Sequence, residues 1–474
     1  MKNTSLLLGP IVFLLLLFFP KTIVSPEADK VIAVAAWMVC WWITEAVSIS
    51  VTALLPLVLF PLLGIMSMKD VSSSYGSPVI FLFFGGFIMA LALEKVNLHK
   101  RIALLIISYT GTSPDRIILG FMIATAFLSF WISNTASTLI MLPMGLSVIN
   151  LLIDDADGFT KKDRNFALSI MLGTAFSANV GGIATIIGTP PNSVLVGFLE
   201  QNYNMEISFV KWMIMGVPFS ALMIAIIYLI LVKLVYPNKL GSFASSKDLI
   251  SNELKKLGKI NSQEKKVLFV FGFAIFFWMF RSYINNLSEN LNISDAEISV
   301  WTAILLFVVP NNFSKGSFIL TWKDTTKVAW GILILFGGGL ALASGLAKTS
   351  LVSFIADHIT SISNISITII ALLLIGIVIF LTELISNVAL VSVMAPVVAG
   401  IAIGLNIPIK ELLIPITIAS SCAFMLPMAT PPNAIVFSSG YVRVKDMVKA
   451  GVILNFISIL VLIVFFKFII PLIF

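Results

Sequence analysis

The sequence predicts an all-α polytopic membrane protein, with eleven transmembrane helices and two re-entrant hairpins arranged as two repeats of inverted topology. Composition, the lengths of the apolar runs and an internal repeat carry that prediction. Of 474 residues, 59% are apolar and only 11% are charged, and the mean hydropathy is +1.05. A soluble domain averages roughly 45–50% apolar and about 25% charged residues. So few charges could not cover the surface of a water-soluble protein of this size. The same composition excludes a disordered chain, a coiled coil, a collagen and a disulfide scaffold. Repeated long apolar runs indicate helices rather than an outer-membrane barrel. The net charge of +7 is read as the Lys and Arg excess of cytoplasmic loops, so no nucleic-acid partner is expected. Cys40 and Cys422 both lie in apolar segments and read as packing residues. The run from Leu6 to Phe19 has one Lys before it and no small-x-small cleavage site after it, so it reads as a retained first helix.

A membrane-crossing helix needs about 20 apolar residues, fewer when its ends lie in the interface. Candidate spans are 5–20, 30–48, 51–64, 78–97, 166–199, 211–236, 265–284, 297–310, 326–348, 410–438 and 446–470. Two further stretches, 116–152 and 366–404, are too long for one crossing and are polar at their middles. Each is expected to enter and leave on one side. With the N-terminus in the cytoplasm, twenty-two of the 30 Lys and Arg then fall on cytoplasmic segments and eight outside. That asymmetry fits the positive-inside rule, with the C-terminus external. Residues 237–264 form a basic cytoplasmic linker near the middle of the chain.

Two pairs of segments repeat at one spacing. Gly85-Gly86-Phe87-Ile88-Met89-Ala90 matches Gly338-Gly339-Leu340-Ala341-Leu342-Ala343, and Ile132-Ser133-Asn134-Thr135-Ala136 matches Ile385-Ser386-Asn387-Val388-Ala389; both are offset by 253 residues. Gly188-Thr189-Pro190-Pro191-Asn192 matches Ala429-Thr430-Pro431-Pro432-Asn433 at an offset of 241. The first hairpin enters from the cytoplasm and the second from outside, so the repeats are inverted. Inverted repeats with interrupted helices near the midplane are the architecture of secondary transporters.

The polar clusters sit at the interruptions. Ser133-Asn134-Thr135 separates two apolar arms, with Ser129 one turn earlier on the same face; Thr382 holds the matching place before Ser386-Asn387. Broken helix at membrane depth survives only when buried in protein or lining a cavity. At such a break one arm ends in free carbonyls, suited to a hard cation such as Na⁺. The other begins with free N–H groups at a positive dipole end, suited to a carboxylate. Thr189-Pro190-Pro191-Asn192 and Thr430-Pro431-Pro432-Asn433 also break helices, because Pro lacks a donor and clashes with the carbonyl four residues back. Gly181, Gly182 and Gly188 let the backbone bend beside the first break, whereas Ala429 is expected to restrict the second. A single Ser or Asn in a membrane helix ordinarily glues helices together. Duplication of hairpin and break together favours a binding site.

Nothing in the sequence supports ATP-driven transport or an intramembrane hydrolase. There is no Walker lysine motif, no H-E-x-x-H and no G-x-S-x-G, and His99 and His358 sit near membrane edges. No Lys, Arg or His falls inside the four clusters, which favours cation-coupled symport over anion exchange. Glu45 and Glu383 are carboxylates within apolar segments. Glu383, whose repeat partner is the uncharged Phe130, is read as structural, with a proton-carrying role left open.

These paired Ser-Asn motifs and Thr-Pro-Pro breaks resemble those of the divalent-anion/sodium symporters, bacterial Na⁺-coupled dicarboxylate transporters among them. The resemblance spans nearly the whole chain. It implies a homodimer in the bacterial inner membrane, in which a scaffold holds the interface and a transport domain moves elevator-fashion. The scaffold would comprise residues 1–112 and 265–364, and the transport domain residues 113–236 and 365–474, with 237–264 as linker. By resemblance, Ser129, Ser133, Asn134 and Gly188 match one sodium site, and Thr382, Ser386, Asn387 and Ala429 match another. Asn134, Thr135, Thr189, Asn387, Val388 and Thr430 match the substrate site, beside Pro190 and Pro431. Val388 departs from the family pattern, which often has Thr there, and so leaves the preferred acid open. The expected activity is uptake of C4-dicarboxylates such as succinate, malate or fumarate, with Na⁺ as the coupling ion. A di- or tricarboxylate exchanger and a passive anion channel are the alternatives.

Overall fold

Helices begin where the sequence supplies caps. Ser25 accepts the Ala28 N–H at the head of Pro26–Thr44, whose first position is a proline. Reciprocal capping boxes open Lys161–Gly181 (Thr160 with Asp163), Ser262–Asn285 (Asn261 with Glu264) and Asp295–Val308 (Ser294 with Glu297). Asn97 and Asn204 turn the chain between helices in the left-handed region, with φ of 59° and 53°.

The computed structural model describes residues 2–18, 24–111, 113–152, 159–238, 240, 245–287, 292–312, 316–349, 351–360 and 366–474. The described residues are overwhelmingly helical. One short antiparallel ribbon, Pro310–Asn312 against Ser317–Phe318, is the small exception to the all-α expectation. Each predicted span contains helix among the described residues, although 410–438 is interrupted at 421–430 and 297–310 ends on the strand residue Pro310. Among the described residues, seven helices are long and apolar enough to cross a membrane: Met68–Lys95, Lys161–Ala184, Phe209–Val235, Ser262–Asn285, Trp330–Lys348, Asn387–Gly404 and Val444–Ile473. Others are shorter, among them Ser5–Phe18, Ile49–Leu62 and Ile367–Leu381. The predicted linker contains a helix that was not foreseen, Ser245–Leu257. Lys21, Lys239 and Lys315, and the proposed boundaries at 112 and 364–365, involve residues outside the described ones.

Element order repeats along the chain. Pro78–Lys95, Leu98–Thr110, Pro114–Ser129, Asn134–Leu152, Lys161–Gly181, Pro190–Tyr203 and Phe209–Tyr228 are followed later by a second series. That series is Trp330–Lys348, Leu351–Thr360, Ile367–Leu381, Asn387–Gly404, Ile409–Ser420, Pro431–Phe437 and Val444–Val464. The repeated glycine pair marks close helix approach in both series. A Cβ at Gly85 would stand 2.4 Å from Ser299 O, and one at Gly338 would stand 2.2 Å from Ala53 O.

Ion pairs join segments distant in sequence. Lys95–Asp324, Arg101–Glu264, Arg164–Asp446 and Lys233–Asp115 join segments of the predicted cytoplasmic set. Arg281 with Glu206 and Asp295 joins segments of the external set.

Candidate functional site

Each hairpin-like pair of arms is interrupted where the sequence turns polar. The helix Pro114–Ser129 ends, residues 130–133 leave helical geometry, and Asn134–Leu152 begins; Ile367–Leu381 and Asn387–Gly404 flank the matching gap. The helices Lys161–Gly181 and Ile409–Ser420 stop beside these gaps, and each chain resumes as a helix at Pro190 or Pro431. Proline at the first helical position costs no hydrogen bond, since that N–H would have no intrahelical partner. The packing is reciprocal. The arm Asn134–Leu152 lies against Pro431–Phe437, and Asn387–Gly404 lies against Pro190–Tyr203.

Around the first gap, Ser129 is fully buried and its Oγ donates to Ala178 O at 2.8 Å. The Asn134 side-chain nitrogen, turned inward, donates to Ser129 Oγ at 2.6 Å, Ala178 O at 3.2 Å and Gly188 O at 3.3 Å. This orientation is assigned from the hydrogen-bond network, because it gives the nitrogen three acceptors. Around the second gap, Thr382 Oγ1 lies 2.5 Å from Ser420 O and 2.7 Å from Asn387 Oδ1. The same three-point arrangement therefore occurs twice: hydroxyl, arm asparagine and last carbonyls of the neighbouring helix. Ser133 O and Ser386 O accept the first backbone bonds of the following arms, and Ser133 Oγ caps Ala136 N at 3.2 Å.

The remaining predicted residues surround these clusters. Thr189 and Thr430 are buried and extended at the heads of their helices, and Thr430 Oγ1 caps Asn433 N. Thr135 is half-buried and Val388 buried, each second in its arm; Pro190 is half-buried and Pro431 exposed. A Cβ at Gly188 would sit 2.5 Å from Gly182 O and 2.9 Å from Ser129 O, so only glycine fits there. Ala429, its counterpart, keeps the equivalent backbone bond: its N–H donates to Leu426 O, as Gly188 N–H does to Thr185 O. The restriction expected of Ala429 is met by a differently built break.

Four residues outside the sequence-derived site set organise the breaks. Asn192 Nδ2 donates to Gly182 O and Thr185 O at 3.2 and 2.8 Å; Asn433 Nδ2 donates to Ala423 O and Leu426 O at 3.2 and 3.1 Å. Each asparagine closes the Thr-Pro-Pro-Asn motif and holds the preceding break with its amide. The repeated motif was the available signal. Asn179 joins the halves, donating to Thr430 Oγ1 at 3.1 Å and Asn433 Oδ1 at 3.2 Å. Thr185 Oγ1 donates to Phe130 O at 2.6 Å and accepts Gly188 N–H at 3.0 Å.

Glu383 takes the corresponding place in the second half. Its carboxylate accepts the N–H groups of Phe424, Met425 and Leu426 at 2.9, 2.9 and 3.0 Å, and the Asn455 amide at 2.9 Å. It therefore braces the second break, in keeping with the structural reading. Glu45 is exposed in the left-handed conformation at the end of Pro26–Thr44, away from both clusters. Apart from Glu383, the side chains named in both clusters are neutral. The arrangement offers carbonyl and hydroxyl oxygens to a cation, and the N–H ends of two arms to an anion.

Comparison with known proteins gives a consistent picture. The model of the sodium:sulfate symporter transmembrane region matches residues 1–474. A sodium-dependent dicarboxylate transporter SdcS of Staphylococcus saprophyticus is 39% identical over 472 residues, covering 98% of this chain and 91% of the relative. Its Staphylococcus aureus namesake is 39% identical over 474 residues, with 99% and 91% covered. Among solved structures, the Alcanivorax borkumensis YdaH transporter shares the fold with a TM-score of 0.55 at 12% identity, covering 85% of this chain and 88% of its own. Neisseria gonorrhoeae MtrF does so with a TM-score of 0.58 at 12% identity, with 85% and 84% covered. With a family model matched end to end and relatives similar over nearly their whole length, this chain belongs to the sodium:sulfate symporter family and is a membrane transporter, not an enzyme.

Proposed function

We propose that this protein couples inward Na⁺ movement to uptake of C4-dicarboxylates such as succinate, malate or fumarate, by elevator-type alternating access in a bacterial inner membrane. The observation that carries the reading is the duplicated triangle of hydroxyl, asparagine and helix-end carbonyls, whose own side chains are neutral. A dianion there needs cations to offset its charge. The Asn134 nitrogen donates to Ser129 Oγ, Ala178 O and Gly188 O. Turning the amide over would place Oδ1 among those same oxygens, giving a cage of hard ligands for Na⁺. Ser133 and Gly188 complete the first sodium site, and Thr382, Ser386, Asn387 and Ala429 form the second. The dianion binds between Asn134 and Asn387, at the N–H ends of their arms, with Thr135, Thr189, Val388 and Thr430 around it and Pro190 and Pro431 alongside.

Sodium binds first in this scheme and orders both gaps; the dicarboxylate follows. Several cations per dianion make the cycle electrogenic. The similar SdcS proteins, named as sodium-dependent dicarboxylate transporters, support both the ion and the substrate class. The Lys and Arg excess on one set of loops supports a cytoplasmic N-terminus and an external C-terminus. The elevator reading makes residues 1–112 and 265–364 a scaffold in a homodimer and leaves 113–236 and 365–474 to move. Succinate uptake by proteoliposomes, with and without an inward sodium gradient, tests the proposal. Gradient-dependent uptake is expected. Uptake indifferent to sodium but dependent on internal dicarboxylate would select the exchanger instead.

A further inference from the structure

The gap between the first pair of arms contains a residue that the ion and substrate chemistry does not use. Trp131 lies two residues before Ser133 and is 9% exposed. Its ring stacks near Phe209 at 6.4 Å and 27°, and meets Phe271 edge-on at 4.8 Å. Phe209 in turn stacks on Trp278 at 4.3 Å and 17°. Trp131 and Phe209 belong to the proposed moving part. Phe271 and Trp278 lie on Ser262–Asn285, in the proposed scaffold. The aromatic column therefore crosses the boundary between them.

Polar groups close the external end of this column. The backbone N–H of Phe209 donates to Asp295 Oδ2 at 2.7 Å, and Trp278 Nε1 donates to Asp295 O at 3.2 Å. Arg281 pairs with Glu206 at 2.6 Å and reaches Asp295 Oδ1 at 3.4 Å. The Arg281 and Asp295 side chains are 11% and 10% exposed, whereas Glu206 is 61% exposed. The pairs thus run from a sheltered interior to the protein's edge. A helix head that loses a buried carboxylate acceptor leaves an unpaired N–H, and a buried ion pair split in two leaves uncompensated charge. Such contacts favour one discrete packing over a sliding interface.

We propose that Trp131, Phe209 and Trp278, closed by Arg281, Asp295 and Glu206, form a lock that ties the first ion-site gap to the helices Ser262–Asn285 and Asp295–Val308, and that this lock opens in every transport cycle. The inference rests on the elevator reading for its direction of movement. Its position beside Ser133 and Asn134 also gives it a coupling role. An ion that sets the gap's geometry sets the position of Trp131, and through Phe209 the stability of the lock. The aromatic column holds the packing while the ion pairs select one alignment.

Two measurements test the lock. In a Cys40→Ser background, Glu206→Cys and Arg281→Cys are joined by a reducible bifunctional thiol reagent, and sodium-driven succinate uptake is followed. Joining the pair is expected to lower uptake at least about tenfold, with recovery on reduction (a tenfold rate change corresponds to about 1.4 kcal/mol). Unchanged uptake at full cross-linking overturns the lock. Amide exchange at Phe209 in the otherwise intact, reconstituted protein needs no substrate. Asp295→Ala, which removes the acceptor of the Phe209 N–H, is expected to speed that exchange about tenfold, and unchanged exchange contradicts the lock even if both cysteine variants are inactive. A wild-type protein without sodium-driven succinate uptake would sink the proposed function, while the exchange result would still decide whether this interface is held by Asp295.

Discussion

The two broken helices meet the same physical demand with different residues. In the first, a short 3₁₀ turn, Gly182–Ala184, keeps the chain tight, and one hydroxyl, Thr185, bridges Phe130 O and Gly188 N–H. In the second, residues 422–430 leave helical geometry for longer, and three consecutive N–H groups converge on Glu383. The compact break has so little room that glycine is required at 188. The open one accepts alanine at 429. The two halves keep similar polar groups at paired positions (Ser129 and Thr382, Asn134 and Asn387, Asn192 and Asn433). The supports behind them have diverged, because any group that satisfies the buried backbone serves.

The largest expected effect comes from exchanging the small residues. Gly188→Ala places a methyl against two backbone oxygens that cannot yield independently, and is expected to reduce uptake at least about a hundredfold, on the order of the loss that follows an ångström-scale misplacement. Ala429→Gly removes only a methyl and is expected to remain within a few-fold of wild type. Measuring both in proteoliposomes breaks the comparison if they behave alike.

Glu383→Ala comes next. It strands three backbone N–H groups and the Asn455 amide, each at about 1–3 kcal/mol, so thermal stability in detergent should fall sharply. Thr185→Val removes one bridging hydroxyl and should cost about 1 kcal/mol or somewhat more. A thermal-shift series in which Thr185→Val is the more damaging would reverse the assignment of supports.

The smallest effect concerns acid at the interface lock. Burial pushes the Asp295 carboxyl up to about 6, opposed by Arg281 and the Phe209 N–H, with Glu206 adding to the rise. Glu200, Lys211 and Lys410 complete the charges of this region, and Lys410 Nζ donates to Glu206 O at 3.2 Å. A carboxyl raised on folding contributes most when protonated. Its contribution to stability is therefore present below the ordinary carboxylate range near 3.8 and is lost as pH rises through about 6. Asp295→Asn should flatten the pH dependence of the melting temperature across that window. An unchanged slope would remove Asp295 as its source.

Much of the fold was legible because its signals are local. Apolar runs, proline pairs and the Ser-Asn strings mark where helices run and stop, so helix lies within each predicted span among the described residues. The supports were not legible, because their partners are distant in sequence. Glu383 meets its N–H donors some forty residues on, and Asn179 meets Thr430 across the two halves. Phe209 and Asp295 likewise meet only after folding. The helix Ser245–Leu257 was missed for another reason: a charged amphipathic segment carries no long apolar run. Sequence could mark Glu383 as unusual, but only the positions of 424–426 identify what it holds.

The measurement that bears most directly on the duplicated oxygen cage is sodium-driven succinate uptake by Asn134→Ala and Asn387→Ala, each compared with wild type at matched amounts of folded protein. Both variants are expected to lose transport while staying folded, since each removes one corner of a cage and one side of the dianion's pocket. Normal uptake kinetics and normal sodium dependence in both would contradict the cage.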